Sequence, residues 1–232
     1  MTALLFGSIS TLADTSELQR EAFNAAFAQH GLDWRWDHDE YVDLLQSSGG
    51  ADRIAAYATQ RGEEVDAAAV HATKSRIFQE RLSSGGISPR PGVVESIEAA
   101  RAQGVLVALV TTTEKANVTA LLAALSPQVR PESFDLIVDT SSVGAPKPDP
   151  AAYTYAVKAL GQRAGDCVAV EDNEGGVTSA VDAGVTVVAF PNANTSGHQF
   201  ASAATRIDKV DLTELTSLTH PGSAGREGAD SR

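Results

Sequence analysis

Sulfur-bearing and aromatic side chains are scarce in this sequence. Its 232 residues include one cysteine, Cys167, and one methionine, and aromatic residues make up 6% of the chain. A single cysteine excludes an intrachain disulfide and a metal cluster built on several thiolates. Proteins of reducing compartments commonly lack disulfides, so we predict a cytoplasmic location.

Positive charge is also in short supply, with 18 Lys and Arg against 30 Asp and Glu and a formal net charge of -12 at pH 7. Nucleic acids and anionic membrane surfaces repel a protein of this charge, so we predict that neither is a partner. The sequence shows no apolar run long enough to span a bilayer and no basic N-terminal region followed by a signal-like core. A small phosphorylated ligand stays compatible with the charge, because it meets only the local field of its pocket. None of these features predicts the oligomeric state.

Short apolar runs alternate with longer helical patterns along most of the chain. The runs do not alternate between apolar and polar residues, which is typical of strands buried on both faces of a parallel sheet. Five strands are predicted in this way, at residues 3–6, 105–110, 134–138, 167–170 and 186–190. The sequence therefore predicts an α/β fold with a doubly wound parallel sheet.

One segment breaks this alternation. Residues 16–83 contain four helical patterns and no convincing strand, so we predict a helical cap at 16–85 inserted after the first strand. The remaining residues 1–15 and 86–219 form the predicted α/β core. Residues 220–232 are rich in Gly, Ser and charge and are predicted to be a disordered tail.

Polar side chains collect where the predicted strands end. They lie in the loop after Phe6, at Thr111 after the second strand, at Lys147 in a proline-flanked loop, and at Glu171 and Asp172 after the fourth strand. The carboxyl ends of the strands in a doubly wound sheet converge on one crevice. A lysine suits a phosphate group and carboxylates suit Mg²⁺, so this crevice is the candidate site.

In their order and spacing, these residues resemble the motifs of the haloacid dehalogenase superfamily of phosphotransferases, and within it the CbbY-like and β-phosphoglucomutase-like group. Thr111 stands at the second motif, Lys147 at the third, and residues 171–177, followed by Ala183 and Gly184, at the fourth. The similarity extends through the cap and covers about residues 3 to 210. It implies a Rossmann-like core with a helical cap, a hydrolase-family activity as a sugar-phosphate phosphatase or phosphomutase, and Mg²⁺ as cofactor.

The first motif departs from the family pattern. The family has two aspartates there, one the nucleophile and Mg²⁺ ligand, the other the general acid and base, and these positions are Gly7 and Ile9 here. Neither side chain attacks phosphorus or moves a proton. No catalytic residue of the family mechanism is therefore intact, and we predict that Mg²⁺ binding is weak or absent. In the cap, Gln19 replaces the family's usual histidine.

The polar loop after Phe6, which could cradle an anion, and the resemblance together suggest binding residues. Those predicted to contact phosphate or substrate are Ser8, Ser10, Thr11, Thr111 and Lys147 in the core and Glu17, Gly49, Gly50 and Arg53 in the cap. Asp172 and Glu171 are the predicted weak metal ligands. Ordinary structural roles compete with some of these: Lys147 as a solvated loop lysine, Asp172 as a helix cap, Thr111 in a turn and Arg53 at a solvated helix start. Trp34 and Trp36 are expected to pack within the cap.

Three hypotheses about function follow. The first is a pseudoenzyme of the CbbY-like group that cannot use the aspartyl-phosphate mechanism and binds a sugar phosphate or another anion. The second is an active sugar-phosphate phosphatase or phosphomutase with altered chemistry, which the retained residues of the later motifs favour. The third is a non-catalytic regulatory or interaction partner, for which the acidic composition is suitable.

Overall fold

A parallel sheet lies at the centre of the part of the chain that the structure describes, residues 1–45 and 49–219. The structure is a computed structural model. Within these residues the sheet has six strands in the order β3-β2-β1-β4-β5-β6, and every neighbouring pair is parallel. The strands are β1 (Ala3–Phe6), β2 (Leu106–Val110), β3 (Leu136–Val138), β4 (Cys167–Glu171), β5 (Thr186–Ala189) and β6 (Thr205–Arg206).

Helices connect the strands and cover both faces of the sheet. They are α1 (Ile9–Leu12), α2 (Ser16–Gln29), α3 (His38–Leu44), α4 (Gly50–Arg61), α5 (Ala67–Ser83), α6 (Val93–Ala102), α7 (Lys115–Leu125), α8 (Ala151–Ala159), α9 (Glu174–Asp182) and α10 (Leu212–Ser217). Alternate residues of β1 point to opposite faces: Leu4 and Phe6 belong to one apolar cluster, with α6 and α7, and Ala3 and Leu5 to the other, with α8 and α9. The predicted doubly wound α/β fold is confirmed.

The differences from the predicted elements concern short pieces of structure. The prediction missed β6, α1 and α10, which have two, four and six residues and are too short for a periodic pattern to reveal. It also placed the start of β3 too early, because residues 131–133 form a 3₁₀ turn that ends at Phe134. Strand β4 runs one residue further than predicted and includes the buried carboxylate of Glu171.

Helices α2 to α5 follow β1 in the chain and pack together around an aromatic cluster. The ring centroids of Phe23 and Trp36 are 4.9 Å apart, and those of Phe27 and Trp36 are 4.6 Å apart in an edge-on arrangement. Trp34 and Trp36 are buried, which confirms that they pack within these helices. We call α2–α5 the cap helices. The proposed division of the chain at residues 15 and 86 stays a prediction.

Helix α5 also joins the cap helices to the rest of the protein. It packs against α7, and the side chain of Gln79 donates a hydrogen bond of 2.9 Å to Asn117. One expectation falls outside the described residues, namely the disordered tail at 220–232. None of the helices in residues 1–45 and 49–219 has the length and apolarity that crossing a membrane requires.

We expect Trp36 to be a main source of stability in the cap helices. Its side chain is fully buried, and replacing a buried tryptophan by alanine removes contacts and leaves a cavity. Trp36→Ala should lower the free energy of unfolding by about 3–5 kcal/mol, measured by urea denaturation. Trp36→Phe is the matched control and should cost less, because it keeps most of the ring and removes an indole N–H that has no partner among the described residues. A loss below about 1 kcal/mol for the alanine variant would contradict this role.

Candidate ligand-binding cleft

A cleft of about 370 Å³ lies between the carboxyl ends of the central strands and the cap helices. Strand β1 pairs with β2 on one side and β4 on the other, with Phe6 opposite Leu109 and Val170. The residues that follow these strands therefore meet at one edge of the sheet. The predicted site residues that line the cleft are Ser8, Ser10, Thr111, Lys147 and Asp172 from the core and Gly49, Gly50 and Arg53 from the cap helices.

Three predicted site residues lie elsewhere. Thr11 is fully buried, and its hydroxyl donates a hydrogen bond of 2.7 Å to the carbonyl of Ser8. Glu17 is exposed and forms a 2.7 Å ion pair with Arg20 on the same helix. Glu171 is fully buried beneath the cleft. These three side chains thus have structural partners, and a direct contact with a ligand stays a prediction for each.

The loop after β1 is organised by its hydroxyl groups. Ser8 caps α1, its Oγ accepting a 3.1 Å bond from the amide of Thr11, and Ser10 shares a 2.7 Å hydrogen bond with Thr15. Gly7 and Ile9, at the positions of the family's acids, both line the cleft. The end of β1 therefore presents a hydrogen atom and a hydrocarbon side chain where the resemblance implies carboxylates.

Lys147 is buried at the floor of the cleft and ties three strands together. Its Nζ donates hydrogen bonds to the carbonyl of Gly7, to the carbonyl of Val110 at 2.7 Å and to Glu171 Oε1 at 2.6 Å. The hydroxyl of Tyr153 donates to the same Glu171 oxygen at 2.8 Å. Because Lys147 is only 7% exposed, the alternative that it is a solvated loop lysine is wrong.

Burial controls the electrostatics of this group. It raises the pKa of Glu171, and the neighbouring charge of Asp172 acts in the same direction, while Lys147 acts against both. Burial, together with the charge of Glu171, also raises the pKa of Tyr153 well above its ordinary value. The phenol is therefore a hydrogen-bond donor at neutral pH.

The Asp172 carboxylate accepts hydrogen bonds at both oxygens. Oδ1 accepts from Ser8 Oγ at 2.8 Å and from Asn173 at 3.0 Å, and Oδ2 accepts from Asn192 at 2.9 Å. The alternative that Asp172 caps the next helix is wrong, because Asn173 caps α9 by accepting a 2.8 Å bond from the amide of Gly176. The structure thus gives Asp172 neutral donors as partners.

This donor set does not fit the Mg²⁺ that the fold family implies. Mg²⁺ requires several oxygen ligands in near-octahedral geometry. Glu171 Oε1 is engaged by Lys147 and Tyr153, while Oε2 is buried with no hydrogen-bond partner among the described residues. Asp172 accepts from three neutral donors, and Gly7 and Ile9 supply no side-chain oxygen. Across residues 1–45 and 49–219, His, Cys, Asp and Glu side chains nowhere gather in a group of three or more that could hold a metal ion.

The cap end of the cleft carries positive charge. Lys74, on α5, is 4% exposed, donates a 3.0 Å hydrogen bond to Gln19 and lies 4.7 Å from the ring centroid of Phe23. Burial and the nearby Arg53 lower the pKa of Lys74 to about 7, with Glu114 acting in the opposite direction. Burial and the same two cations lower the pKa of His71, which also lines the cleft, to about 4.

Arg53 belongs to the same end. It is 8% exposed, its Nε donates a 2.8 Å hydrogen bond to the carbonyl of Leu44, and its guanidinium lies 6.0 Å from the ring centroids of Phe23 and Tyr41. The alternative of a solvated helix start is therefore wrong. The hydroxyl of Thr111, at the opposite wall, accepts a 3.2 Å bond from the amide of Thr113, so Thr111 both lines the cleft and holds a turn.

Sequence reasoning missed Lys74, His71, Tyr153 and Asn192. Lys74 left a signal, because it stands four residues after Val70 and four before Phe78, on the apolar side of α5. A lysine at such a position needs a buried partner or a ligand. Tyr153 and Asn192 left no comparable signal, since their contacts depend on distant parts of the chain.

Comparison with known proteins places this site in a family. The sequence model of the family described as haloacid dehalogenase-like hydrolase matches residues 1–184. Protein CbbY of Rhodobacter capsulatus is 38% identical over 210 residues, which cover 89% of this chain and 92% of that protein. The crystal structure of CbbY from Rhodobacter sphaeroides in complex with phosphate superposes with a TM-score of 0.83 at 36% identity, over 90% of this chain and 94% of that one.

A second crystal form of the R. sphaeroides protein, a mutant in complex with xylulose-(1,5)-bisphosphate, gives the same TM-score of 0.83 and the same 36% identity, over 90% of this chain and 94% of that one. The family model covers residues 1–184, and the CbbY relatives cover about 90% of this chain in sequence and in fold. This chain belongs to the haloacid dehalogenase-like hydrolase family, in its CbbY-like group.

Proposed function

We propose that this protein binds a small phosphorylated ligand, a sugar phosphate, in the cleft and does not catalyse phosphoryl transfer through an aspartyl phosphate. The observation that carries the proposal is the end of β1, where Gly7 and Ile9 line the cleft in place of a nucleophile and an acid. The cap end keeps two cations, Lys74 and Arg53, that attract a phosphate group. The CbbY relatives solved with phosphate and with a sugar bisphosphate support this class of ligand.

Catalysis through an aspartyl phosphate depends on two groups in the site. A carboxylate must reach phosphorus and a second group must give a proton to the leaving alcohol. The nearby carboxylates are Glu171, which is fully buried and paired with Lys147, and Asp172, which accepts three hydrogen bonds. Neither is positioned as a free nucleophile.

We propose the cytoplasm as the location of this protein. The single cysteine, Cys167, is buried and free, which is compatible with a reducing compartment.

One contact favours a second candidate function, an active enzyme with altered chemistry. Ser8 Oγ donates to Asp172 Oδ1 at 2.8 Å, which pairs a hydroxyl nucleophile with a carboxylate base. In such a reaction Ser8 Oγ attacks phosphorus, its proton moves to Asp172, the P–O bond to the leaving group breaks, and Asp172 passes the proton to the leaving oxygen. Water then hydrolyses the phosphoserine and releases phosphate. Ser8 lines the cleft, so the hydroxyl can meet a ligand.

The decisive experiment measures binding and turnover with the same compounds. Purified full-length protein is mixed with Mg²⁺ and a panel of sugar phosphates, with binding followed by calorimetry and phosphate release by a colorimetric assay. We expect saturable binding of at least one compound and no release above the protein-free background. Release that disappears in Ser8→Ala and in Asp172→Asn would instead establish the second candidate, and the absence of any binding would refute the proposed function.

The affinity for a phosphorylated ligand should depend on the charge of Lys74. With a pKa of about 7, Lys74 is protonated and attracts an anion below that pH, and it becomes neutral above it. A hydrogen bond from a charged donor contributes about 1.5–3 kcal/mol, or roughly tenfold to a hundredfold in affinity. Glucose 6-phosphate should therefore bind wild-type protein roughly tenfold or more tightly than Lys74→Met at pH 6, and the two affinities should converge by pH 9.

Lys74→Met is the control for protonation of the ligand, because the phosphate group of glucose 6-phosphate titrates identically with wild-type protein and with the variant. The other charged groups that act on Lys74 are Arg53 and Glu114, and His71 lies in the same cleft. Burial and the two cations hold the pKa of His71 at about 4, below the pH range of this comparison. An affinity ratio that stays constant from pH 6 to pH 9 would show that Lys74 does not contact the ligand as a titrating cation.

A further inference from the structure

The space beside Gly7 is occupied by another part of the chain. A Cβ atom added at Gly7 would lie 2.1 Å from Glu171 Oε1 and 2.3 Å from the hydroxyl oxygen of Tyr153. Gly7 does not have a positive φ, so its backbone would accept any L residue and only the space excludes a side chain. Gly176 borders the same carboxylate, since a Cβ there would lie 2.2 Å from the Glu171 carboxyl carbon. Two glycines thus make room for the Glu171 carboxylate.

Lys147 has no proton left for a ligand. An ammonium group has three donors, and the carbonyls of Gly7 and Val110 and the carboxylate of Glu171 accept all of them. The pair is buried, with side-chain exposures of 8% for Lys147 and 0% for Glu171. Separating two such charges leaves each desolvated and unpaired, which is strongly unfavourable. A ligand phosphate that took Lys147 away from Glu171 would have to overcome this cost.

The charges at the two ends of the cleft differ. At the core end Lys147 and Glu171 neutralise each other, and Asp172 lies near Arg90, whose guanidinium donates to three backbone carbonyls. At the cap end Lys74 has a single hydrogen-bond acceptor, Gln19, among the described residues. An anion is therefore attracted more strongly to the cap end.

We infer that the Lys147–Glu171 ion pair closes the core end of the cleft to divalent cations and to the anionic group of a ligand. Glu171 fills the place of a side chain at residue 7, so no divalent cation is bound there. Lys147 is withheld from the ligand, and the anionic group of the ligand binds at Lys74. The position of the ligand rests on the proposed function. The closure to cations stands on the geometry of Gly7, Glu171 and Lys147 alone. The departure from the family is thus more than the loss of two acids, because a neighbouring carboxylate occupies the space that a side chain at residue 7 would take.

The first test measures cation binding, with Mn²⁺ as the probe and electron paramagnetic resonance as the readout. Wild-type protein should bind no Mn²⁺ at millimolar concentration. Gly7→Asp places a side chain where the Glu171 carboxylate lies and adds an acid beside Asp172, so it should bind Mn²⁺ at least tenfold more tightly than wild type. Gly7→Asn, of the same size and neutral, is the matched control and should bind more weakly than Gly7→Asp. Wild-type binding as tight as that of Gly7→Asp would overturn the closure.

The second test locates the anion, with glucose 6-phosphate as the probe and calorimetry as the readout. The double variant Lys147→Met with Glu171→Gln removes both charges and leaves neither unpaired. Its affinity should stay within threefold of wild type, whereas Lys74→Met should weaken binding at least tenfold at pH 6. The opposite pattern would show that Lys147 holds the phosphate.

Wild-type crystals soaked with inorganic phosphate keep this inference testable if the double variant does not fold. The ion should lie within hydrogen-bond distance of Lys74, and an ion bound to Lys147 would contradict the inference. Failure of the proposed function gives a different result. Wild-type protein would then bind no sugar phosphate, while the Mn²⁺ titration would still decide whether the core end is closed.

Discussion

A buried ammonium group holds the carboxyl ends of three neighbouring strands together. Lys147 donates to the carbonyl of Gly7, which directly follows β1, to the carbonyl of Val110 at the end of β2, and to the Glu171 carboxylate at the end of β4. A buried cation of this kind is stable only when its protons and its charge are satisfied. The geometry of the whole core end therefore depends on where Glu171 lies, and that position depends on the absence of a side chain at Gly7.

This constraint changes the meaning of the retained motifs. In the family, a lysine and a pair of acids after the fourth strand serve phosphate and metal, and their presence here favours activity when residues are read one by one. In the structure these residues have partners within the chain: Lys147 binds Glu171 Oε1, and Asp172 accepts from Ser8 and Asn192. Retained identity is thus compatible with a structural role, because each of these residues has partners within the chain.

The cap helices contribute a different kind of electrostatic environment. Lys74 is surrounded by aromatic rings and has only one hydrogen-bond acceptor among the described residues, so its charge is not offset locally. Burial and the nearby Arg53 lower the pKa of Lys74 to about 7, with Glu114 acting in the opposite direction. At the core end Lys147 and Glu171 neutralise each other, whereas at the cap end Lys74 has a single hydrogen-bond acceptor among the described residues. This difference favours an anion at the cap end, although the net charge of -12 by itself predicts no attraction for an anion.

The sequence by itself determined the parallel α/β fold, the helical segment after β1, the family and the missing acids at Gly7 and Ile9, because each depends on local patterns or on the identity of a residue in a motif. Only the tertiary structure decided that Glu171 fills the space beside Gly7, that Lys147 has no free proton, and that Lys74 is buried in the cleft. These facts arise from contacts between residues 140, 24 and 55 positions apart in the chain. No pattern of neighbouring residues encodes such contacts, since they follow from how the strands and helices pack.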